Sequence, residues 1–314
     1  MPNPGLSVWL AQQALDTYEQ TGNYTTAAKK VGIPTQTFID RVRNARLRGL
    51  RPTTLKDAPR IYQRERLGRM HMVIPDVQSK PGVRNDHLEW IGNYAVEKKP
   101  DVIVCIGDFW DFPSLSRYDK GKLCFEGRRY NDDVRAGRTA MEKLLKPIDD
   151  YNRTATEKYA PEMHFTLGNH EIRPTRLVDD NPEFLGRFDL ADLGLHEYGW
   201  KVHDFLKPVE IDGIQYCHYF TSGVMGRPVS SAAALLRERQ QSCTMGHVQT
   251  TDLAVHKKTQ RIALFCGIAY LHNEDYLGYQ GNMTRRQIVI KHEVEDGLYD
   301  PMLVSLRYLE KAYS

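Results

Sequence analysis

Residues 101–111 read DVIVCIGDFWD: five apolar residues, a Gly-Asp pair, two aromatics and a closing Asp. A short apolar run stopped by a turn residue reads as a buried strand, and here it hands a carboxylate to the strand's end. The same texture recurs in HMVIPD (71–76), MHFTLGN (163–169), EIDGIQYCHYF (210–220), SCTMGHV (242–248) and RIALFCGI (261–268). Between the earlier runs lie two amphipathic helical stretches, RNDHLEWIGNYAVEKK (84–99) and DVRAGRTAMEKLLKPIDDY (133–151). Strands alternating with helices predict an α/β layer fold from residue 70 onward.

In such folds chemistry collects at strand ends. The polar residues there are Asp76 and Gln78, then Asp108 and Asp111, then Asn169, His170 and Glu171, then His218, and last His247 and Gln249. Carboxylates, an amide and imidazoles brought from separate strands suit divalent metal, and a shared carboxylate can hold two ions about 3.5–4 Å apart for phosphoester cleavage. The order D-x-Q, GD-x-x-D, GNHE, H, GH-x-Q resembles the calcineurin-like metallophosphoesterases over about residues 70–290. GNHE after a strand is the most specific element of that match.

The resemblance implies an α/β protein built on a two-sheet β-sandwich flanked by helices, with a dinuclear site. It implies Asp108 as the bridging carboxylate and Asn169, His218 and His247 as the other ligands of one ion. Asp76 matches a ligand of the second ion, whose two histidines in the family fall at Gln78 and Gln249. His170 matches the histidine that assists the leaving oxygen and Asp111 the carboxylate that orients it, while a hydroxide held on the metal attacks phosphorus in line. Both glutamines thus fall on one ion and turn an N/O shell into an all-oxygen one. Hard oxygens suit Mn²⁺ or Mg²⁺ better than Zn²⁺, so two divalent ions, Mn²⁺ or Mg²⁺, are the expected cofactors. The alternative is a second site that has lost its metal.

Arg173, three residues past His170, is read either as a phosphate ligand or as the partner of a nearby acid. In the Ser/Thr phosphatase branch an Arg follows GD-x-x-D, whereas here Phe112 does, which speaks against a protein-phosphatase role. The basic, aromatic stretch 114–133 is read as a substrate lip or a surface excursion. HNEDY (272–276) is left structural, His164 is placed on a strand and His256 on the surface.

The 314 residues are 41% hydrophobic and 26% charged, ordinary for a globular chain with a sizeable core. No apolar run approaches the roughly 20 residues of a membrane span, and the first residues lack a secretory pattern. The five cysteines are scattered without CxxC spacing, as reduced thiols would be. The expectation is a cytoplasmic protein with no membrane partner.

The net charge of +3 is unevenly spread: residues 29–69 hold twelve Lys and Arg against Asp40, Asp57 and Glu65, a local excess of +9. Within 1–50 three helices are expected, the third opening at Pro34 and Thr35 with Phe38, Val42 and Ala45 on one face. This resembles a helix-turn-helix DNA-binding unit. The resemblance implies that Thr35, Gln36, Thr37 and Arg41 meet base edges while Arg43, Arg46 and Arg48 meet phosphates. A helical cap or assembly module is the alternative.

The expected domains are therefore 1–50, a basic linker at 51–69, and the phosphoesterase domain at 70–314. The fusion is similar to phage-encoded metallophosphoesterases, which implies a host cytoplasm. The function expected is hydrolysis of phosphodiester or terminal phosphate bonds in nucleic acid, with DNA as partner. Two alternatives stand beside it: a DNA-binding protein with a silent phosphoesterase domain, and a phosphatase of small molecules or phosphoproteins.

Overall fold

The computed structural model describes residues 6–53, 60–61, 68–274 and 277–314. In chain order its longer strands are β1 (Arg69–Ile74), β2 (Val102–Cys105), β3 (Glu162–Thr166), β4 (Lys201–His203), β5 (Val209–Ile211) and β6 (Ile214–Tyr216). They continue with β7 (Ser242–Met245), β8 (Thr251–Val255), β9 (Ile262–Cys266), β10 (Gln287–Glu295) and β11 (Leu298–Ser305). The helices used below are α1 (Val8–Thr21), α2 (Tyr24–Val31), α3 (Thr35–Leu47), α4 (Asp86–Lys98), α5 (Tyr130–Thr154), α6 (Arg173–Asp180), α7 (Ala232–Arg239) and α8 (Leu306–Tyr313).

The two large sheets are ordered β11-β10-β1-β2-β3-β4 and β8-β9-β7-β6-β5. Strands β1 to β4 run parallel, and β10 closes against β1 in the opposite sense. Successive side chains of a strand point to opposite faces, and β1 uses this to serve two cores. Val73 joins Val104, Ile106, Ile214, Leu264 and Val289 between the sheets. Met72 and Ile74 turn outward and pack with Ile91, Leu144 and Leu309 of the covering helices. On the far side of the second sheet Leu235 and Leu236 of α7 cover Cys243, Met245, Ala263 and Phe265. The expected helix-flanked two-sheet sandwich is thus what the chain forms, and β1 ends in the apolar run Met72–Ile74 because both its faces are covered there.

Two glycines position the site. An added Cβ on Gly92 of α4 would sit 2.4 Å from the Leu144 carbonyl oxygen, so only glycine lets α4 and α5 approach this closely. One on Gly137 of α5 would sit 1.7 Å from Trp110 Nε1; its absence lets the indole lie on α5, just before Asp111.

Helices α1–α3 share their own core of Leu10, Ala11, Ala14, Leu15, Ala27, Ala28, Phe38, Val42 and Ala45. Asn23 caps α2 through Thr26 N at 3.0 Å, and Gly32 ends it at φ 75°. This unit rests on α5: Ser7 Oγ donates to Asp149 Oδ1 at 2.6 Å. The expectation that Arg41 meets base edges is corrected by this docking. Arg41 is 2% exposed, and burial lowers its pKa to about 10 against the opposing charge of Glu197. Its place near Glu197 and His196 removes the Arg41 side chain from solvent. Gln36, Arg43 and Arg46 are exposed, whereas Thr35, Thr37 and Arg48 are half-buried. The linker expected at 51–69 lies largely outside the described residues; its residues 60–61 pair in parallel with Glu157–Lys158. Among the described residues no helix is long and apolar enough to cross a membrane.

Candidate metal centre

The loops after β1 and β2 are zipped together. Asp108 O accepts from Val77 N at 3.1 Å and Gln78 N at 2.8 Å, Phe109 O accepts from Ser79 N, and Asp111 N donates back to Ser79 O. The turns are tight enough that Gln78, Asp108, His247 and Gln249 all adopt left-handed backbone, with φ of 46°, 49°, 62° and 63°. Non-glycine residues avoid this region, and such strain clusters at functional sites. Two glycines make room beside them. A Cβ on Gly168 would meet Asp108 Oδ1 at 2.2 Å, and one on Gly246 would meet Asp76 Oδ1 at 2.4 Å.

Asp108, His218 and His247 offer ligand atoms that all lie within 4.8 Å of one another. His218 Nδ1 donates to the Ile106 carbonyl at 2.9 Å, which fixes the tautomer and leaves the Nε2 lone pair facing the site. Around that nitrogen stand Asn169 Oδ1 at 3.0 Å and Asp108 Oδ2 at 3.2 Å. Three acceptors thus converge where positive charge must sit, as a proton or as a cation. The electrostatics agree. Burial works against the His218 charge, but Asp108 raises its pKa to about 9. Burial alone would raise Asp108 too, yet His170 and His218 hold it well below the carboxylate range. His247 goes the other way, lowered to about 4 by burial and by His218, and so presents the neutral ring a metal needs.

The second position is built from oxygen. Asp76 is fully buried; its Oδ1 accepts from His247 N at 3.2 Å, while its Oδ2 has no hydrogen-bond partner. Burial, with the charge of Asp108 adding to it, raises Asp76 to about 7. Gln78 is 1% exposed, and neither its Oε1 nor its Nε2 finds a hydrogen-bond partner. Buried orphan oxygens are rare because each costs about 1–3 kcal/mol, and a cation between them removes that cost. Gln249 stands slightly apart: Tyr270 donates to its Oε1 at 3.2 Å and Thr284 to its backbone oxygen at 2.7 Å. The tyrosine holds the amide in orientation. The donor set of Asp108, His218 and His247 therefore fits a divalent ion, and Asp76 and Gln78 add buried oxygens without hydrogen-bond partners.

His170 and Asp111 meet beside this centre. His170 Nδ1 lies 3.0 Å from Asp111 Oδ1 and 2.8 Å from the Asp111 carbonyl, and its Nε2 is 3.7 Å from Asp108 Oδ2. Arg173 serves the protein's own loop: Nη1 donates to the carbonyls of Asp111 at 2.7 Å and Phe112 at 3.0 Å, and Nη2 meets His170 Nε2 at 3.0 Å. Of its two expected roles, the geometry matches pairing with a nearby acid, since Nη1 also lies 3.7 Å from Asp111 Oδ1.

Three residues had no role assigned to them from the sequence. Lys80 Nζ lies 2.9 Å from Asp111 Oδ2 and 2.5 Å from Glu274 Oε1, so Asp111 is pinned on both oxygens. Glu274, within the segment left structural, is therefore part of the site's support, and His272 Nε2 holds it at 2.8 Å; residues 275–276 lie outside the described residues. Glu171 is fully buried and accepts from four backbone N–H groups: Phe109 and Trp110 on Oε1, Asp108 and Gly168 on Oε2, at 2.7–2.9 Å. It ties the Asp108 loop to the GNHE loop. The lysine two residues past Gln78 was visible in the sequence, but nothing local marks its partner 194 residues away.

No family model matches the sequence, and no curated protein matches it. Among solved structures the chain is similar to Vps29 from Entamoeba histolytica, complexed with zinc, at 11% identity over 76% of this chain and 99% of that one, with a TM-score of 0.34. It is similar to Yfce, a phosphoesterase from E. coli, at 9% identity over 75% and 100%, TM-score 0.34. A phosphoesterase-like protein from Streptococcus pneumoniae follows at 10% identity over 75% and 97%, TM-score 0.30. A likeness this distant speaks of neither substrate nor residue roles, which rest on the geometry of the site.

Proposed function

We propose that this chain is a metal-dependent phosphoesterase acting on phosphodiester or terminal phosphate bonds of nucleic acid, brought to DNA by its N-terminal helices. The carrying observation is the cluster of ligand atoms from Asp108, Asn169 and His218, beside which Asp76 Oδ2 and the Gln78 amide are buried without a hydrogen-bond partner. Asp108, Asn169, His218 and His247 would hold one ion, and Asp76, Gln78, Asp108 and Gln249 the other. Divalent ions bound there would polarise the phosphoryl oxygens and supply a nucleophile from water at neutral pH. His170 would lend the leaving oxygen a proton or positive charge through Nε2, the nitrogen that Arg173 Nη2 meets in this structure. Asp111 holds the ring through Nδ1, and Lys80 keeps Asp111 in place. Glu171 fixes the backbone that aims Asp108.

For DNA, the support is the +9 excess at 29–69 and the exposed Gln36, Arg43 and Arg46 of α3. The burial of Arg41 favours a second reading, in which the helices are a fixed cap on the catalytic layers. One experiment separates these. Turnover of labelled single- and double-stranded DNA and of a generic phosphodiester is followed while Mn²⁺ is titrated, with His170→Ala as control. The reading expects Mn²⁺-dependent turnover of nucleic acid, lost in the control. DNA affinity should fall steeply with salt and weaken in Arg43→Ala with Arg46→Ala. Turnover of the generic ester alone, with unchanged DNA affinity in the double variant, rejects the DNA half; no turnover of any substrate rejects the enzyme.

A further inference from the structure

One wall of the site has no task in phosphoryl hydrolysis. The Tyr219 ring lies 4.5 Å from the His247 ring and 5.8 Å from that of His218. Phe205 stands edge-on to Tyr219 at 5.6 Å, and the Arg176 guanidinium lies over Phe205 at 5.5 Å. Both aromatics are only half-buried and Arg176 is exposed, although large rings in a polar cleft gain most by being covered. Arg176 is not held by the acid four residues on, because Asp180 pairs with Arg117 instead. Its place on α6, one turn beyond Arg173, puts it on the helix that leads away from His170.

A half-exposed phenol, a second ring set across it and an exposed guanidinium lying over that ring make a stacking shelf. A phosphate has no π-face to offer such a shelf, nor has an alkyl or sugar group. A heteroaromatic base has two, and stacks on aromatics and guanidinium planes alike. We infer that Tyr219, Phe205 and Arg176 bind the base of a substrate whose sugar carries the scissile phosphate to the metal centre. This deepens the proposed function and rests on it: the substrate class becomes nucleoside phosphoesters, free or at a strand terminus.

The test compares two esters with one leaving group, using the full chain with Mn²⁺: the p-nitrophenyl ester of thymidine 5′-monophosphate and methyl p-nitrophenyl phosphate. Removing one base–aromatic stack costs about five- to hundredfold in affinity. The nucleoside ester should therefore have the higher kcat/KM by about tenfold or more, mainly through KM. Tyr219→Ala and Arg176→Ala should each shrink that ratio several-fold, and Tyr219→Phe should keep it. An oligonucleotide bearing the same terminal ester separates the sources, since a further rise in kcat/KM assigns the shelf to a strand end and an equal value to a free nucleotide. A wild-type ratio near one, or a ratio unmoved by both alanine variants, overturns the shelf while the phosphoesterase reading stands. If neither ester turns over, that reading fails, and calorimetry judges the shelf by itself. Tighter binding of thymidine 5′-monophosphate than of methyl phosphate, reduced in Tyr219→Ala, supports it; equal binding overturns it.

Discussion

Replacing Glu171 by glutamine is the sharpest single test of how the site is built. The change is isosteric, so it opens no cavity in a position with no solvent exposure. It replaces one carboxylate oxygen by an NH₂ group. Each oxygen accepts from two backbone N–H groups, so whichever is lost, two hydrogen bonds go and donor faces donor. Hydrogen bonds to a charged group contribute about 1.5–3 kcal/mol each, giving a loss of roughly 3–6 kcal/mol. For a domain of this size about 1 kcal/mol moves Tm by roughly 2–4 °C, so a fall on the order of 10 °C is expected. Calorimetry on wild type and Glu171→Gln would measure it, and Mn²⁺ titration should show weaker binding because Asp108 N is one of the released donors. Burial and the charge of Asp108 raise the pKa of Glu171, while backbone N–H groups pull it back. A protonated Glu171 would resemble glutamine. Equal Tm values for the two proteins would therefore refute the account of an ionised carboxylate anchoring both loops.

Three further outcomes are expected. Lys80→Met should lower kcat by about tenfold or more with KM nearly unchanged, because Asp111 loses the cation on Oδ2 and small misplacements at a reacting centre are costly; Lys80→Arg should recover part of the loss, and an unchanged kcat in Lys80→Met rejects the positioning role. Gln78→His with Gln249→His should tighten Zn²⁺ at the weaker position by calorimetry, each single change doing less, since imidazole nitrogen is a better zinc ligand than amide oxygen; unchanged Zn²⁺ affinity would make the glutamines bystanders. Burial and then His272 lower the pKa of His87 to about 3, so it stays neutral when folded; its stability contribution is complete above about pH 6.5 and drains by up to ~1.4 kcal/mol per pH unit as pH falls toward 3, which His87→Leu should abolish in acid-unfolding curves.

What the sequence disclosed was whatever lies within a few residues of its own signal. Apolar runs ending in Gly-Asp or Gly-Asn announced β2 and β3, and a run ending in Pro-Asp announced β1, whereas β4 carried no such signal. Asp111 beside His170 was legible only through the family resemblance, since 59 residues separate them. The supports were silent for a physical reason. Glu171 acts on backbone amides, which every residue carries, and so leaves no complementary letter in the sequence. Lys80 and Glu274 meet only because β1 and the segment after β9 end at one rim. Arg41 misled because helical periodicity marks which face is apolar but not which polar face another layer will cover.

The left-handed backbone at Gln78, Asp108, His247 and Gln249 has a consequence for how long the protein lasts. Such conformations cost on the order of 1–3 kcal/mol each, and together they consume much of a typical margin of about 5–15 kcal/mol. An ion that binds only the folded chain restores stability in proportion to the logarithm of its concentration. Metal supply would then govern abundance as well as turnover. In metal-poor surroundings the loops bearing these residues are the first expected to open, to proteases before denaturants, and the chain would be cleared when it has no cofactor to use.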